Sequence, residues 1–172
     1  MPRILVTPLS ALEDVLESHR PSHIVSLLSP EHMIPTPKGF PADRHLQLGV
    51  NDITDPSAGD APPARQHIDR LLDFSRGWDQ QAPLLIHCWA GISRSMASAF
   101  TVLCDRLGVD REVEIAMAIR RRAPHANPNR LLVSHADDAL QRGGRMVTAL
   151  KVMGQPLQVE EGIVTPFPLV NL

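Results

Sequence analysis

A cysteine and an arginine stand six positions apart in the segment LLIHCWAGISRS, residues 84–95. A cysteine thiolate is a strong nucleophile, and the planar guanidinium of arginine can hold two oxygens of a phosphate group at once. We therefore expect Cys88 to attack phosphorus. We expect Arg94 to bind the phosphate and to stabilise the charge of the transferred group.

The residues between Cys88 and Arg94 predict how the phosphate is held. Their backbone N–H groups can curl around one point as an anion-binding nest, and the helix that follows adds its positive end. Gly91 allows the tight turn that this requires. Such surroundings favour the thiolate form of the cysteine. The residues expected to bind the substrate's phosphate are Trp89, Ala90, Gly91, Ile92, Ser93 and Arg94.

Four neighbouring residues receive lesser roles. Ser95 can donate a hydrogen bond to the sulfur, which helps when the thiolate must leave. His87 is expected to orient the loop by hydrogen bonding rather than to act as a base. Trp89 either packs structurally or shapes the rim of the pocket. Cys104, one helix further on, is expected to be buried packing, with a redox pair with Cys88 as the lesser alternative.

Hydrophobic periodicity indicates the elements that position these residues. Strands are predicted at residues 4–6, 23–28, 46–50 and 84–86, and helices after Ser10, from Pro62 to about Gly77, and over about 93–107, 110–122, 128–142 and 145–153. This alternation predicts a single α/β domain, with a central, mostly parallel sheet of four to five strands flanked by helices. Ligands bind beyond the carboxyl ends of such strands, and Cys88 lies at one of them.

Both ends of the chain carry local signals. Ser10 and Glu13 have the spacing of a capping box, so Ser10 is expected to cap the first helix. Residues 1–154 are assigned to the domain. Residues 155–172 contain three prolines and are expected to form a tail packed on the surface.

Composition excludes several classes of protein. The chain has 172 residues and a net charge of −2, which argues against a protein that coats nucleic acid. It has no apolar run of the ~18 residues that a membrane span needs, and its N-terminal apolar run is shorter than expected of a signal peptide. Two cysteines are too few for a disulfide framework, and they fit a cytoplasmic protein. The eight histidines form no ligand motif, so no metal or other cofactor is expected.

The order His-Cys-x5-Arg-Ser after a strand resembles the signature of the protein tyrosine phosphatase superfamily, and the short chain is most similar to its dual-specificity branch. The resemblance covers roughly residues 40–140. It implies a cysteine-phosphatase fold, a phosphocysteine intermediate on Cys88 and no metal. It also implies an aspartate general acid on a loop ahead of the cysteine, where Asn51 and Asp52 stand. Pro128 and Asn129 resemble a further family feature.

Two aspartates compete for the role of general acid, which protonates the departing oxygen and later activates water. Asp52 directly follows a predicted strand and matches the Asn-Asp pattern of the family, so it is favoured. Asp55 precedes Pro56 and can simply begin a turn. Asp60 is a distant third.

The favoured function is hydrolysis of phosphotyrosine in proteins, with phosphoserine and phosphothreonine as further substrates. The main alternative is a phosphoinositide or other small-molecule phosphatase, which the absence of Lys from residues 89–93 makes less favoured. A phosphate-binding pseudophosphatase is disfavoured because Cys88 and Arg94 are both present. Sulfur transfer or arsenate reduction is disfavoured because it would need a sulfur donor or resolving cysteines, and only Cys104 is available. The expected partners are a phosphorylated protein or a small phosphomonoester, with inorganic phosphate as product.

Residues 120–122, all Arg, are expected to be solvated, with guidance of an acidic substrate as the alternative.

Overall fold

A five-stranded sheet forms the centre of the protein, in a computed structural model that describes all 172 residues. The strands are β1 (Arg3–Pro8), β2 (His23–Leu28), β3 (His45–Gly49), β4 (Leu84–Cys88) and β5 (Thr165–Pro168). Their order in the sheet is β3-β2-β4-β1-β5. The first four are mutually parallel, and β5 is antiparallel to β1. The predicted α/β architecture with a mostly parallel sheet is confirmed.

Helices cover both faces of this sheet. They are α1 (Leu12–His19), α2 (Arg65–Arg76), α3 (Arg94–Leu107), α4 (Glu112–Arg122), α5 (Arg130–Ala139) and α6 (Arg145–Met153). α1 packs alone on one face, and the other five helices share the main hydrophobic core on the opposite face. No helix combines the length and the apolar character needed to cross a lipid bilayer.

The sequence of β4 follows from its central position. Leu84 and Ile86 belong to the core beneath α2–α6, whereas Leu85 packs with α1 on the other face. A strand covered on both faces reads as a continuous apolar run rather than an alternating one. The first polar residues, His87 and Cys88, come where the strand reaches the carboxyl edge of the sheet.

The predicted surface tail is wrong for residues 165–168. These residues form β5, which pairs with β1, and Phe167 is fully buried in the main core. Pro166 and Pro168 argue against a strand in the sequence, but proline is tolerated at a sheet edge, where its missing N–H faces away from the neighbouring strand. The edge of β1 that faces away from β4 is thereby covered.

The predicted cap of the first helix is also wrong. α1 begins after Ala11, and no side chain caps it. The hydroxyl of Ser10 instead donates to the carboxylate of Glu161, near the other end of the chain. The hydroxyl of Ser10 therefore makes a long-range contact with Glu161 instead of the local helix cap that the spacing of Ser10 and Glu13 predicted.

Candidate active site

The residues between β4 and α3 form a tight loop, residues 88–94, which we call the cysteine loop. Its base is fixed by the sheet, where Cys88 lies opposite Pro8 of β1. Gly91 has φ +69°, and a Cβ at this position would lie 2.7 Å from the Pro8 nitrogen. Only glycine can adopt this conformation so close to the neighbouring backbone.

Four carbonyl groups of the cysteine loop accept hydrogen bonds from the surrounding structure. Trp89 O accepts the N–H of Leu9 (3.0 Å), and Ala90 O accepts the N–H of Gly162 (2.8 Å). Ile92 O accepts the N–H of Asn127 (2.9 Å). Ser93 O accepts two N–H groups, those of Ala97 (2.9 Å) and Asn129 (3.2 Å). In a trans peptide the C=O and the following N–H point in opposite directions. Holding these carbonyls outside the loop therefore aims the next N–H groups inward. The N–H groups of residues 89–94 donate to no other backbone or side-chain atom, so they form a nest open to an anion.

Cys88 lies at the bottom of an open pocket of about 740 Å³. Its sulfur is 3.1 Å from the hydroxyl oxygen of Ser95, which lies in the first turn of α3 and is fully buried. The thiol forms no disulfide. A hydroxyl at this distance can donate to a thiolate and stabilise it both before attack and as a leaving group.

Arg94 lines the same pocket and is 6% exposed. Its Nη1 donates to the carbonyl oxygen of Val50 over 2.9 Å, which fixes the plane of the guanidinium. Its Nε is buried and donates to no protein atom. An unpaired buried donor is costly unless a ligand satisfies it, so this edge of the guanidinium is suited to an anion.

Asp52 lies three residues after the end of β3 and lines the pocket beside Ser93 of the cysteine loop. Its Oδ1 accepts hydrogen bonds from Ser93 Oγ (2.7 Å) and from Asn129 Nδ2 (2.9 Å). The preceding Asn51 fixes the loop, because its own Oδ1 accepts the N–H of Ala61 over 2.9 Å. Both donors to Asp52 bind Oδ1, which leaves Oδ2 to carry a proton toward a substrate.

The two other candidate carboxylates, Asp55 and Asp60, do not line the pocket. Asp55 caps the short turn Pro56–Ala58 by accepting the N–H and the hydroxyl of Ser57, at 2.9 and 2.7 Å. The hydrogen bond from the Ser57 hydroxyl, and to a smaller extent the one from the Ser57 N–H, lower the pKa of this exposed carboxyl.

His87 lies in the core rather than in the pocket and is fully buried. Its Nε2 is 2.6 Å from Ser26 Oγ, which is in turn 2.8 Å from His45 Nε2. Burial lowers the pKa of His87 to about 4, so the ring is neutral at physiological pH. Its Nδ1 lies 3.4 Å from the Cys88 carbonyl oxygen and can donate to it, which ties the start of the loop to this polar chain.

Trp89 lies on the rim, with 56% of its surface exposed. Its ring is tilted against that of His32 at a centroid distance of 5.4 Å. Cys104 is fully buried in the main core, and burial raises the pKa of its thiol. No group of three or more His, Cys, Asp or Glu side chains is arranged to hold a metal ion.

Several pocket residues were not identified from the sequence. They are Thr54, Asn127, Arg130 and Gln155, whereas Pro128 and Asn129 were singled out only as resembling a family feature, without a role in the pocket. Asn129 had a usable signal, because an asparagine between a proline and a helical pattern is a typical N-cap. The others come together only in three dimensions. Arg120 also differs from the expected solvated cation, since it donates to the carbonyls of Pro124, Met153 and Gly154.

No protein-family model matches the chain, and no curated protein matches it significantly. Solved structures do match. DUSP15 has a TM-score of 0.62 at 20% identity, over 89% of each chain. A human tyrosine phosphatase-like serine/threonine/tyrosine-interacting protein has a TM-score of 0.62 at 21% identity, over 79% of this chain and 89% of its own. Human DUSP28 has a TM-score of 0.58 at 22% identity, over 80% and 92%.

These identities are low, so the match concerns the course of the backbone. It covers 79–89% of this chain, which is more than residues 40–140, over which the sequence resemblance extends. The chain has the fold of the dual-specificity-like proteins of the protein tyrosine phosphatase superfamily.

Proposed function

We propose that the protein is a phosphoric monoester hydrolase that works through a phosphocysteine intermediate on Cys88. One observation carries the proposal. Cys88 lines the same pocket as the cysteine loop, whose N–H groups donate to no protein atom, and as Arg94, whose Nε is unpaired. This arrangement suits a phosphoryl group with three peripheral oxygens, whose charge increases as it is transferred.

In the first step the Cys88 thiolate attacks phosphorus in line, and the bond from phosphorus to the substrate oxygen breaks. The cysteine loop and Arg94 hold the peripheral oxygens. Asp52 donates its proton from Oδ2 to the departing oxygen, which leaves as an alcohol or phenol. Ser93 and Asn129 fix the carboxylate through Oδ1 while this happens.

In the second step water attacks the phosphorus of the phosphocysteine. Asp52, now a carboxylate, takes a proton from this water, and the phosphorus–sulfur bond breaks. The sulfur departs as a thiolate that accepts the hydrogen bond from Ser95 Oγ, 3.1 Å away. Inorganic phosphate is released, and the enzyme returns to its starting protonation state.

The proposed substrates are phosphotyrosine side chains in proteins, with phosphoserine and phosphothreonine as further candidates. Trp89 on the rim offers an aromatic surface beside the pocket mouth. The alternative, a phosphoinositide or other small phosphomonoester, is less favoured because Arg94 and Arg130 are the only basic residues that line the pocket. We also propose a cytoplasmic setting, since the reaction needs a reduced cysteine.

Phosphate release from an aryl phosphate tests the proposal directly. The wild-type protein, in reducing buffer with a metal chelator, is expected to release phosphate and to be inhibited by vanadate. Cys88→Ser is expected to abolish release. Cys104→Ala is the matched control, because it removes the second buried thiol without touching the pocket, and it should retain activity.

A folded, reduced wild-type protein that releases no phosphate would contradict the proposed reaction. Activity that survives Cys88→Ser would contradict the proposed intermediate. A panel of phosphotyrosine peptides, phosphothreonine peptides and short-chain phosphoinositides then assigns the substrate class, and the highest kcat/KM on a phosphoinositide would favour the alternative.

A further inference from the structure

The chain between α6 and β5 crosses the outside of the cysteine loop. We call residues 154–164 the C-terminal strap. The N–H of Gly162 donates to Ala90 O over 2.8 Å, and the N–H of Leu157 donates to Pro124 O over 2.8 Å. The contact between Ser10 and Glu161 anchors the strap next to Gly162. The strap is therefore fastened to the loop that carries the nucleophile.

Gly162 fits its place because it lacks a side chain. A Cβ there would lie 2.7 Å from His125 Nε2, 2.8 Å from His125 Cδ2 and 3.0 Å from Gly91 O. His125 as a whole is only 5% exposed, so its ring has little room to move aside. Any larger residue at position 162 would press the strap away from the cysteine loop.

The hydrogen bond from Gly162 acts on a sensitive peptide unit. Ala90 C=O and Gly91 N–H belong to the same trans peptide, so holding the carbonyl outside aims the N–H into the nest. The peptide adjoins a glycine with φ +69°, a residue type with unusual conformational freedom. The hydrogen bond that Gly162 N donates to Ala90 O from outside the loop can keep this peptide from rotating.

We propose that Gly162 is a positioning residue for phosphate binding, and that the C-terminal strap is part of the catalytic unit. This inference depends on the proposed function. Gly162 does not contact the substrate. It orients the Gly91 N–H, which in turn donates to the phosphoryl oxygens and stabilises the Cys88 thiolate.

Gly162→Ala tests the inference in the full-length protein. We expect kcat/KM for an aryl phosphate to fall about 10- to 100-fold, since the change misdirects one oxyanion donor. The dissociation constant of vanadate, measured by direct binding, should rise, and the pH profile of Cys88 alkylation by iodoacetamide should move to higher pH. Gly77→Ala is the matched control, because the nearest atom to its Cβ would be 3.5 Å away at the end of α2, far from the loop in sequence.

A second substitution sharpens the test. His125→Ala removes the two atoms nearest to the new Cβ, so the double variant Gly162→Ala/His125→Ala should recover part of the lost vanadate affinity and activity. If Gly162→Ala does not fold, Glu161→Ala loosens the strap without adding bulk and should shift the alkylation profile in the same direction.

Vanadate binding and the alkylation profile do not require turnover, so they separate this inference from the proposed reaction. An inactive wild-type protein would contradict the reaction alone. A folded Gly162→Ala variant with unchanged vanadate affinity and an unchanged alkylation profile would overturn the inference. So would a loss of thermal stability without any change in these two measurements, because it would assign the strap a merely structural role.

Discussion

The side-chain amide of Asn129 donates a hydrogen bond of 2.9 Å to Asp52 Oδ1 and thereby joins the start of α5 to the loop after β3. The same amide donates to Ile53 O over 3.1 Å, and its own oxygen accepts the N–H of Leu132 over 3.0 Å. One side chain therefore caps a helix and orients the proposed general acid. The helix cap and the geometry of the acid are coupled.

Two substitutions of Asn129 separate these roles. Asn129→Ala should lose the cap, at about 1 kcal/mol of stability, and also the donor to Asp52. Asn129→Asp retains an oxygen that can cap α5 but places a second carboxylate against Asp52. We expect Asn129→Asp to keep most of the stability while kcat falls about 10- to 100-fold through misplacement of the acid. Chemical denaturation and steady-state kinetics measure the two effects, and a parallel loss of stability and activity in both variants would contradict the separation.

The identity of the general acid can be tested by leaving-group dependence. Asp52→Ala should lower kcat for phenyl phosphate by about 10²- to 10⁴-fold, and less for a nitrophenyl phosphate, whose leaving oxygen needs no proton. Vanadate should still bind. Asp55→Ala is the matched control, since Asp55 only caps an exposed turn, and its rate should be unchanged. The reverse pattern would transfer the role to Asp55.

Ser95→Ala should slow the second step more than the first. A hydrogen bond to a charged group contributes about 1.5–3 kcal/mol, so breakdown of the phosphocysteine should slow about 10- to 100-fold. Rapid mixing with a nitrophenyl phosphate should then show a burst of nitrophenol followed by slow turnover. Ser98→Ala removes another buried hydroxyl of α3, one that bonds the Arg94 carbonyl, and should show no burst. The absence of a burst in Ser95→Ala would contradict this role.

His87 should make stability depend on pH. Burial lowers its pKa to about 4 in the folded protein, whereas in the unfolded chain it titrates near ~6.5. As the pH falls, the unfolded state therefore takes up a proton on His87 before the folded state does. The free energy of unfolding should decrease between pH ~6.5 and pH about 4, by up to about 3 kcal/mol. His87→Gln should flatten this dependence in urea denaturation at pH 7.5, 6 and 5. The four other histidines whose pKa burial lowers, His23, His45, His67 and His125, remain in both proteins, so an equal pH dependence would exclude His87 as the source.

The central part of the fold could be predicted because its signals are local. The apolar run before Cys88 and the helical pattern after Arg94 predict a strand, a loop and a helix without reference to the rest of the chain. The order of strands and helices then implies the parallel sheet. The edge at which Cys88 lies follows from the same reasoning.

The parts that could not be predicted depend on distant contacts. Thr165–Pro168 has two prolines in four residues and becomes a strand only because β1 offers an open edge. Ser10 has the spacing of a cap, yet it donates to Glu161. The donors that hold the cysteine loop are backbone N–H groups, which every residue except proline has, so nothing in the side chains of Leu9 or Asn127 indicates them.

The two prolines of β5 also affect how the protein behaves at high concentration. An exposed sheet edge is a template for another chain, because its unpaired N–H and C=O groups invite intermolecular pairing. Pro166 and Pro168 occupy alternate positions of β5, the outermost strand. A further strand pairing with this edge would need N–H donors at these positions, and proline has none. This edge of the sheet therefore offers no regular ladder of hydrogen bonds to a second molecule, which protects the β5 edge against intermolecular strand pairing.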